Sequence, residues 1–97
     1  MKKAESLECP ITKVAQVLSD TWTMLIMHYL IRKPMGFCEL ERALDGISTR
    51  TLTLKLTKLT HEKMVTKDKE GMYTATARGK GLKTVEKAMM QYQKRYL

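Results

Sequence analysis

A mainly α, α+β domain is what the sequence predicts, on three observations. Apolar residues recur at helical spacing through most of the chain. Two helical stretches, 37–44 and 49–63, are separated by a short turn containing Asp45-Gly46, which is the helix-turn-helix pattern. Directly after them the period changes to 2 around Glu70-Gly71, the mark of a small β-hairpin. Helices, a helix-turn-helix and then a hairpin are the order of a winged helix. The hairpin is its wing, and N- and C-terminal helices remain for dimerisation.

The elements follow in order. Ninety-seven residues are enough for one core and form a single domain. Residues 1–8 are polar and read as frayed. Pro10 suits the first position of a helix, and Ile11, Val14, Ala15 and Leu18 continue it. Ser19 and Asp20 offer an N-cap to the next segment, which is apolar almost all round. Trp22, Leu25, Ile26, Tyr29 and Leu30 lie on one side of it and Met24, Met27 and Ile31 on others, so it is central to the domain or to a dimer. Pro34 and Gly36 stop it. A very short strand near Met35–Phe37 completes the small sheet. Residues 37–63 form the helix-turn-helix, with Phe37, Leu40 and Leu44 on the stripe of its first helix. Ser48 caps the second, whose core stripe is Leu52, Leu56 and Leu59.

The wing spans 64–76. A three-residue loop, Lys69-Glu70-Gly71, pairs Val65 with Ala75 and Lys67 with Tyr73 and puts Val65, Tyr73 and Ala75 on one face. A two-residue loop would split them, and the longer loop needs the left-handed conformation that Gly71 supplies. Thr76 then caps one long helix over 77–97. Its residues Leu82, Val85, Met89, Tyr92 and Tyr96 alternate by three and four, as in a coiled-coil seam. With Ile11, Val14 and Leu18 of the first helix they form the expected homodimer interface.

Charge points to the partner. Eighteen Lys+Arg against ten Asp+Glu give +8. Residues 1–47 hold six of each sign, whereas 48–97 hold twelve basic and four acidic, so the second half carries the whole excess. Charge focused in this way suits a polyanion. With the leucine stripe of helix 49–63 turned inward, Arg50, Thr53, Leu54, Thr57, Lys58 and His61 face outward, and Ser48 and Thr49 stand at the N-terminal end. Groove-reading helices present such ends to base edges. Arg bonds guanine, Thr bonds phosphate or base, and an outward Leu suits a thymine methyl. Lys67 and Lys69 add two cations on the wing. Double-stranded DNA is therefore the expected partner; the alternative is a winged-helix interaction module facing an acidic protein.

Several segments together resemble a known family. They are Cys9-Pro10, Trp22 opening an apolar helix, Gly36-Phe37-x-Glu39-Leu40, Gly46-Ile47-Ser48-x-Arg50-x-Leu52-Thr53-x-x-Leu56-x-x-Leu59, and Tyr73-x-x-Thr76-x-x-Gly79. The chain resembles the HxlR family of winged-helix regulators, relatives of the MarR group. The resemblance implies a homodimeric prokaryotic transcription regulator on a palindromic operator, with a dimer built from the first and last helices. It also implies that Cys9 stands where members that sense oxidants or electrophiles carry their reactive thiol. The position fits on its own terms, because a helix N-terminus favours a thiolate, although Glu5 and Glu8 oppose this. The wing is shorter than the family's common Pro-containing hairpin.

Other chemistry finds little in the sequence. Cys9, Cys38, His28 and His61 are not spaced as zinc ligands, so no metal and no cofactor is expected. His28 reads as a core or interface histidine and Cys38 as buried in the first helix of the helix-turn-helix. No catalytic set stands out, and the Arg78-Gly79-Lys80-Gly81 stretch lacks the phosphate-loop pattern, so no enzyme is expected. The eight methionines read as soft packing, with room for a Met-lined pocket between helices that takes an apolar ligand; its identity is open. The uncharged run Thr21–Ile31 is far short of the ~20 residues of a membrane span, and MKKAESLECP is not a signal peptide. A cytoplasmic protein with no membrane partner is the expectation.

Overall fold

The computed structural model describes residues 9–18 and 20–97. Helix α1 (Pro10–Val17) starts on its proline, with Cys9 as N-cap in extended conformation. Helix α2 (Thr21–Arg32) is capped by Asp20, whose carboxylate accepts the Thr23 N–H at 2.8 Å. Ser19, the other expected cap, and the two glutamates near Cys9 lie outside the described residues. Strand β1 (Met35–Gly36) leads straight into α3 (Phe37–Ala43), where Glu39 reaches back to the Gly36 N–H at 3.3 Å. Gly46, at φ +95°, turns the chain into α4 (Thr49–His61).

Helix α4 ends in a left-handed residue that is not glycine. Lys63 has φ +65°, and the Met64 N–H bonds back to the Leu59 carbonyl at 2.9 Å, the long bond of a Schellman motif. Strands β2 (Val65–Lys67) and β3 (Met72–Ala75) follow. The register is Val65 opposite Ala75 and Lys67 opposite Tyr73, as the face argument requires, and Gly71 has φ +84°. Asp68 closes the loop, its carboxylate accepting both the Glu70 and Met72 N–H groups at 2.9 Å. β1 pairs with the other side of β3, giving an antiparallel sheet in the order β1-β3-β2. The fold is thus a mainly helical winged helix-turn-helix.

The core lies between α2, the leucine faces of α3 and α4, and the sheet. Ile26, Met27, Leu30, Leu40, Leu52, Leu56, Leu59 and Val65 are fully buried in it. Three expectations need correction. The buried face of α2 is Thr23, Ile26, Met27, Leu30 and Ile31, while Leu25 is exposed and Trp22 and Tyr29 only pack against the core's edge. Cys38 is exposed, because it follows Phe37 on the outer side of α3. The last helix is two pieces, α5 (Ala77–Lys80), capped by Thr76, and α6 (Leu82–Tyr96), joined at Gly81. The joint falls on a glycine, the residue type other than proline that helix interiors tolerate least; two residues earlier, a Cβ at Gly79 would stand 2.2 Å from the Met64 carbonyl oxygen, so α5 lies hard against the chain that leaves α4. Among the described residues, no helix is long and apolar enough to cross a membrane.

Candidate nucleic-acid interface

Helix α4 is held from three directions. Leu52, Leu56 and Leu59 are sunk into the core. At its N-terminus, the Ser48 hydroxyl accepts the Thr51 N–H at 3.0 Å and donates to Thr51 Oγ1 at 2.9 Å. Two contacts that no sequence pattern announced then fix its pitch. The Thr49 hydroxyl donates to the Glu41 carboxylate of α3, tying the two helices of the helix-turn-helix together. The Lys55 ammonium donates to the Asp20 carboxylate, so the residue that caps α2 also grips α4. Burial alone would raise the Asp20 pKa. The Lys55 ammonium and the Thr23 N–H outweigh that and hold the carboxyl below its ordinary value.

The opposite face of α4 is open. Arg50, Thr53, Leu54, Thr57, Lys58 and His61 are all exposed, as are Ser48 and Thr49. Leu54 is 58% exposed, which a merely solvated face would not select. Thr53 and Thr57 donate their hydroxyls to the carbonyls of Thr49 and Thr53 at 2.8 Å, which fixes their rotamers and leaves the oxygens pointing out as acceptors. On the wing, the Lys67 ammonium lies 5.5 Å from the centre of the Tyr73 ring, a cation–π contact that holds it against the strand. Lys69 is exposed in the loop.

The residues expected at a dimer seam divide. Leu82 is 8% exposed and belongs to the chain's own core, with Leu18 and Val85 packed against its edge. Met89, Tyr92 and Tyr96 of α6 and Ile11 and Val14 of α1 are exposed, and the Tyr92 and Tyr96 rings lie 4.9 Å apart. Cys9 is half-buried at the α1 N-terminus. The backbone N–H of Thr12, then that of Ile11, then the Thr12 hydroxyl stabilise its sulfur as thiolate and lower its pKa from the usual thiol range.

Comparison with known proteins agrees with this geometry. The HxlR-like helix-turn-helix family model matches residues 17–97. An uncharacterized HTH-type transcriptional regulator of Synechocystis, sll1512, is 33% identical over 84% of the chain and 64% of its own length. Another from Bacillus subtilis, YvaP, is 35% identical over 66% of the chain and 60% of its own length. The chain thus spans somewhat under two thirds of the curated relatives it matches. Quinone-bound YodB from B. subtilis superposes with a TM-score of 0.85 at 27% identity, over 91% of this chain and 99% of that one. The same protein is also known in reduced and diamide-treated forms. With a family match over most of its residues and the fold to go with it, the chain belongs to the HxlR-like helix-turn-helix family.

Proposed function

We propose that this chain is a homodimeric, sequence-specific DNA-binding transcriptional regulator that works in the cytoplasm by binding, not catalysis. The observation that carries the reading is the two-sided character of α4. One side is fully buried, and the other presents Arg50, Thr53, Leu54 and Thr57 to solvent in the half of the chain that holds the whole positive excess. Long-range attraction to phosphates brings the duplex in. Arg50 then bonds a guanine edge and Leu54 touches a thymine methyl. Ser48, Thr49, Thr53, Thr57 and Lys58 hold the backbone on either side, with N–H groups of the α4 N-terminus helping to bind phosphate. Lys67 and Lys69 of the wing reach neighbouring phosphates. Two copies related by a two-fold axis read two half-sites about 34–36 Å apart, which makes the operator palindromic.

Cys9 is the regulatory residue of this reading. Its thiolate adds to an electron-poor carbon of a quinone-like electrophile. A C–S bond forms with the sulfur's electron pair as a ring C=C π bond breaks; its pair moves onto one carbonyl oxygen, which takes a proton from solvent, and the hydrogen of the attacked carbon passes to the other oxygen, leaving the hydroquinone adduct. The quinone-bound and diamide-treated forms of YodB, together with the helix N-terminus at Cys9 that lowers its pKa, support this assignment.

The test begins with selection of bound sequences from a random duplex pool, repeated at two salt concentrations. A palindrome with steep salt dependence is expected. Arg50→Ala should then cost about 1–3 kcal/mol on the selected operator and relax one base position per half-site. Binding with no sequence preference and no salt slope, or an Arg50→Ala protein with unchanged affinity and preference, rejects the reading.

A further inference from the structure

Four basic side chains from three separate segments meet at one cleft. Lys13 comes from α1, His61 and Lys63 from the end of α4, and Arg78 from α5, around a space of about 720 Å³. That volume is within the range of small-ligand sites. Val17 and Met64 add apolar wall, and Glu62 is the one acidic residue of the lining. Lys13, Lys63 and Arg78 are exposed, and among the described residues none of the three pairs with a carboxylate. Three permanent cations against one carboxylate leave an excess of two positive charges. Of the whole lining, only Val14 also belongs to the expected dimer seam.

A helix end does not account for this cluster. The C-terminal dipole of α4 favours a cation beside it. Yet the carbonyls of Lys58, Leu59 and Thr60 already accept the N–H groups of Glu62, Met64 and Lys63, and the Lys63 carbonyl accepts the Thr76 hydroxyl. Lys13 and Arg78 belong to other helices and are brought to the same hollow. Lys63 carries a second sign. It holds the left-handed position of a Schellman motif at φ +65°, where glycine is usual and a side chain strains the backbone. Strain kept where an easier residue exists points to a use for the side chain, and this one lines the cleft. The cleft is also apart from the proposed base-reading residues. Helix α4 has 13 residues, so its C-terminal end stands about 18 Å from its N-terminal one.

We propose that the cleft between α1, the end of α4 and α5 binds a small organic phosphate monoester, its phosphate on Lys13, Lys63 and Arg78 and its apolar body along Val17 and Met64. A phosphate monoester fits because it carries close to two negative charges at neutral pH, which matches the excess. The Arg78 guanidinium offers the planar fork that phosphate oxygens take bidentately, and the two ammonium groups add point charges. The His61 imidazole supplies a further donor. The site does not rest on DNA binding and is tested without it.

The probes are phenyl phosphate, inorganic phosphate and benzyl alcohol, titrated into the full chain at neutral pH and fixed ionic strength and followed by amide NMR. Phenyl phosphate should shift the Lys13, Lys63 and Arg78 signals saturably and leave those of Lys87 and Lys94 on α6 in place. Inorganic phosphate, which lacks the apolar body, should bind about tenfold more weakly, and benzyl alcohol, which lacks the charge, should not bind. Lys63→Gly is the sharpest variant because it relieves the backbone. It should keep or raise the thermal midpoint and still lose about tenfold for phenyl phosphate. Arg78→Gln should lose as much, while Lys83→Gln, on α6 and outside the cleft, should change nothing. No saturable shift, full affinity in both Lys63→Gly and Arg78→Gln, or an equal loss in Lys83→Gln overturns the proposal. Displacement of phenyl phosphate by random-sequence duplex DNA also overturns it, since the cleft would then be part of the DNA surface. So do signals that respond to protein dilution and not to the probe, which would mean that a second copy covers the cleft.

Discussion

Asp20 works in two places at once. One oxygen caps α2 and the other holds Lys55 of α4, so a single carboxylate joins the central helix to the second helix of the helix-turn-helix. Its folded pKa is depressed, and the sign of the consequence follows. The stabilisation is whole above the unfolded value of about 4 and is lost as pH falls through the folded one. Asp20→Asn keeps a capping side chain but loses the ion pair. The variant should be less stable at neutral pH by a modest amount, about 1 kcal/mol or less for so exposed a pair. The gap to the parent should close in acid unfolding curves below about pH 4. A gap that persists unchanged there would mean that packing, not charge, is what the substitution disturbs. Cys9 is governed by the same physics with a different group. The N–H donors at the α1 N-terminus depress its pKa, so site-resolved alkylation should reach half its maximal rate at a pH below the ~8.5 of a free thiol. Cys9→Ser should leave operator binding intact and abolish its loss on treatment with a quinone or diamide. A titration near 8.5, with wild-type release of DNA by Cys9→Ser, would remove Cys9 from the regulatory reading.

Between elements, what the sequence made legible depends on range. The wing register was readable because a period of 2 allows only one pairing that puts Val65, Tyr73 and Ala75 together. The buried stripe of α4 was readable because three leucines at helical spacing leave one choice. The outward α4 residues followed from that stripe. By contrast, the close approach of α5 to the Met64 carbonyl, fifteen residues before Gly79, is made by tertiary packing, and nothing local marks it. The pairs Asp20–Lys55 and Arg32–Glu86 span 35 and 54 residues, and their members read locally as ordinary surface charge. Which side of α2 is buried is not written in the sequence, because that helix is apolar almost all round and only its packing partners choose. The joint gives a paired test. Gly79→Ala puts a methyl 2.2 Å from a backbone oxygen, and a shift of that backbone should cost about 1–3 kcal/mol, or several degrees in thermal midpoint. Gly81→Ala meets nothing nearer than 3.3 Å on a backbone with φ −59°, and should be neutral or slightly stabilising. Equal effects of the two would show that chain flexibility at the joint matters and the close approach does not.

At the scale of the whole molecule, the chain leaves apolar surface at both ends. Ile11 and Val14 lie exposed on α1, and Met89, Tyr92, Tyr96 and Leu97 on α6. A small soluble domain seldom exposes this much unless another surface covers it. The nearest self-complementary cover is a second copy, with α1 and α6 of one chain meeting those of the other. A two-fold dimer of that kind also puts two α4 helices on one face of a duplex, which one chain cannot do alone. Tyr92 and Tyr96 test it without touching the core, because both are exposed and neither anchors the fold. Changing both to Glu in each copy would bury four unpaired carboxylates at the interface, a cost of several kcal/mol that an interface of two helices does not withstand. The parent should sediment as a dimer at micromolar concentration and the double variant as a monomer, with its helical content unchanged. Operator affinity should fall with the dimer, since each half-site is then held by one α4 and the second copy no longer binds at high effective concentration. A parent that is monomeric at these concentrations, or a monomeric variant that binds the full operator as the parent does, would separate DNA reading from dimerisation and leave the apolar ends of α1 and α6 to some other partner.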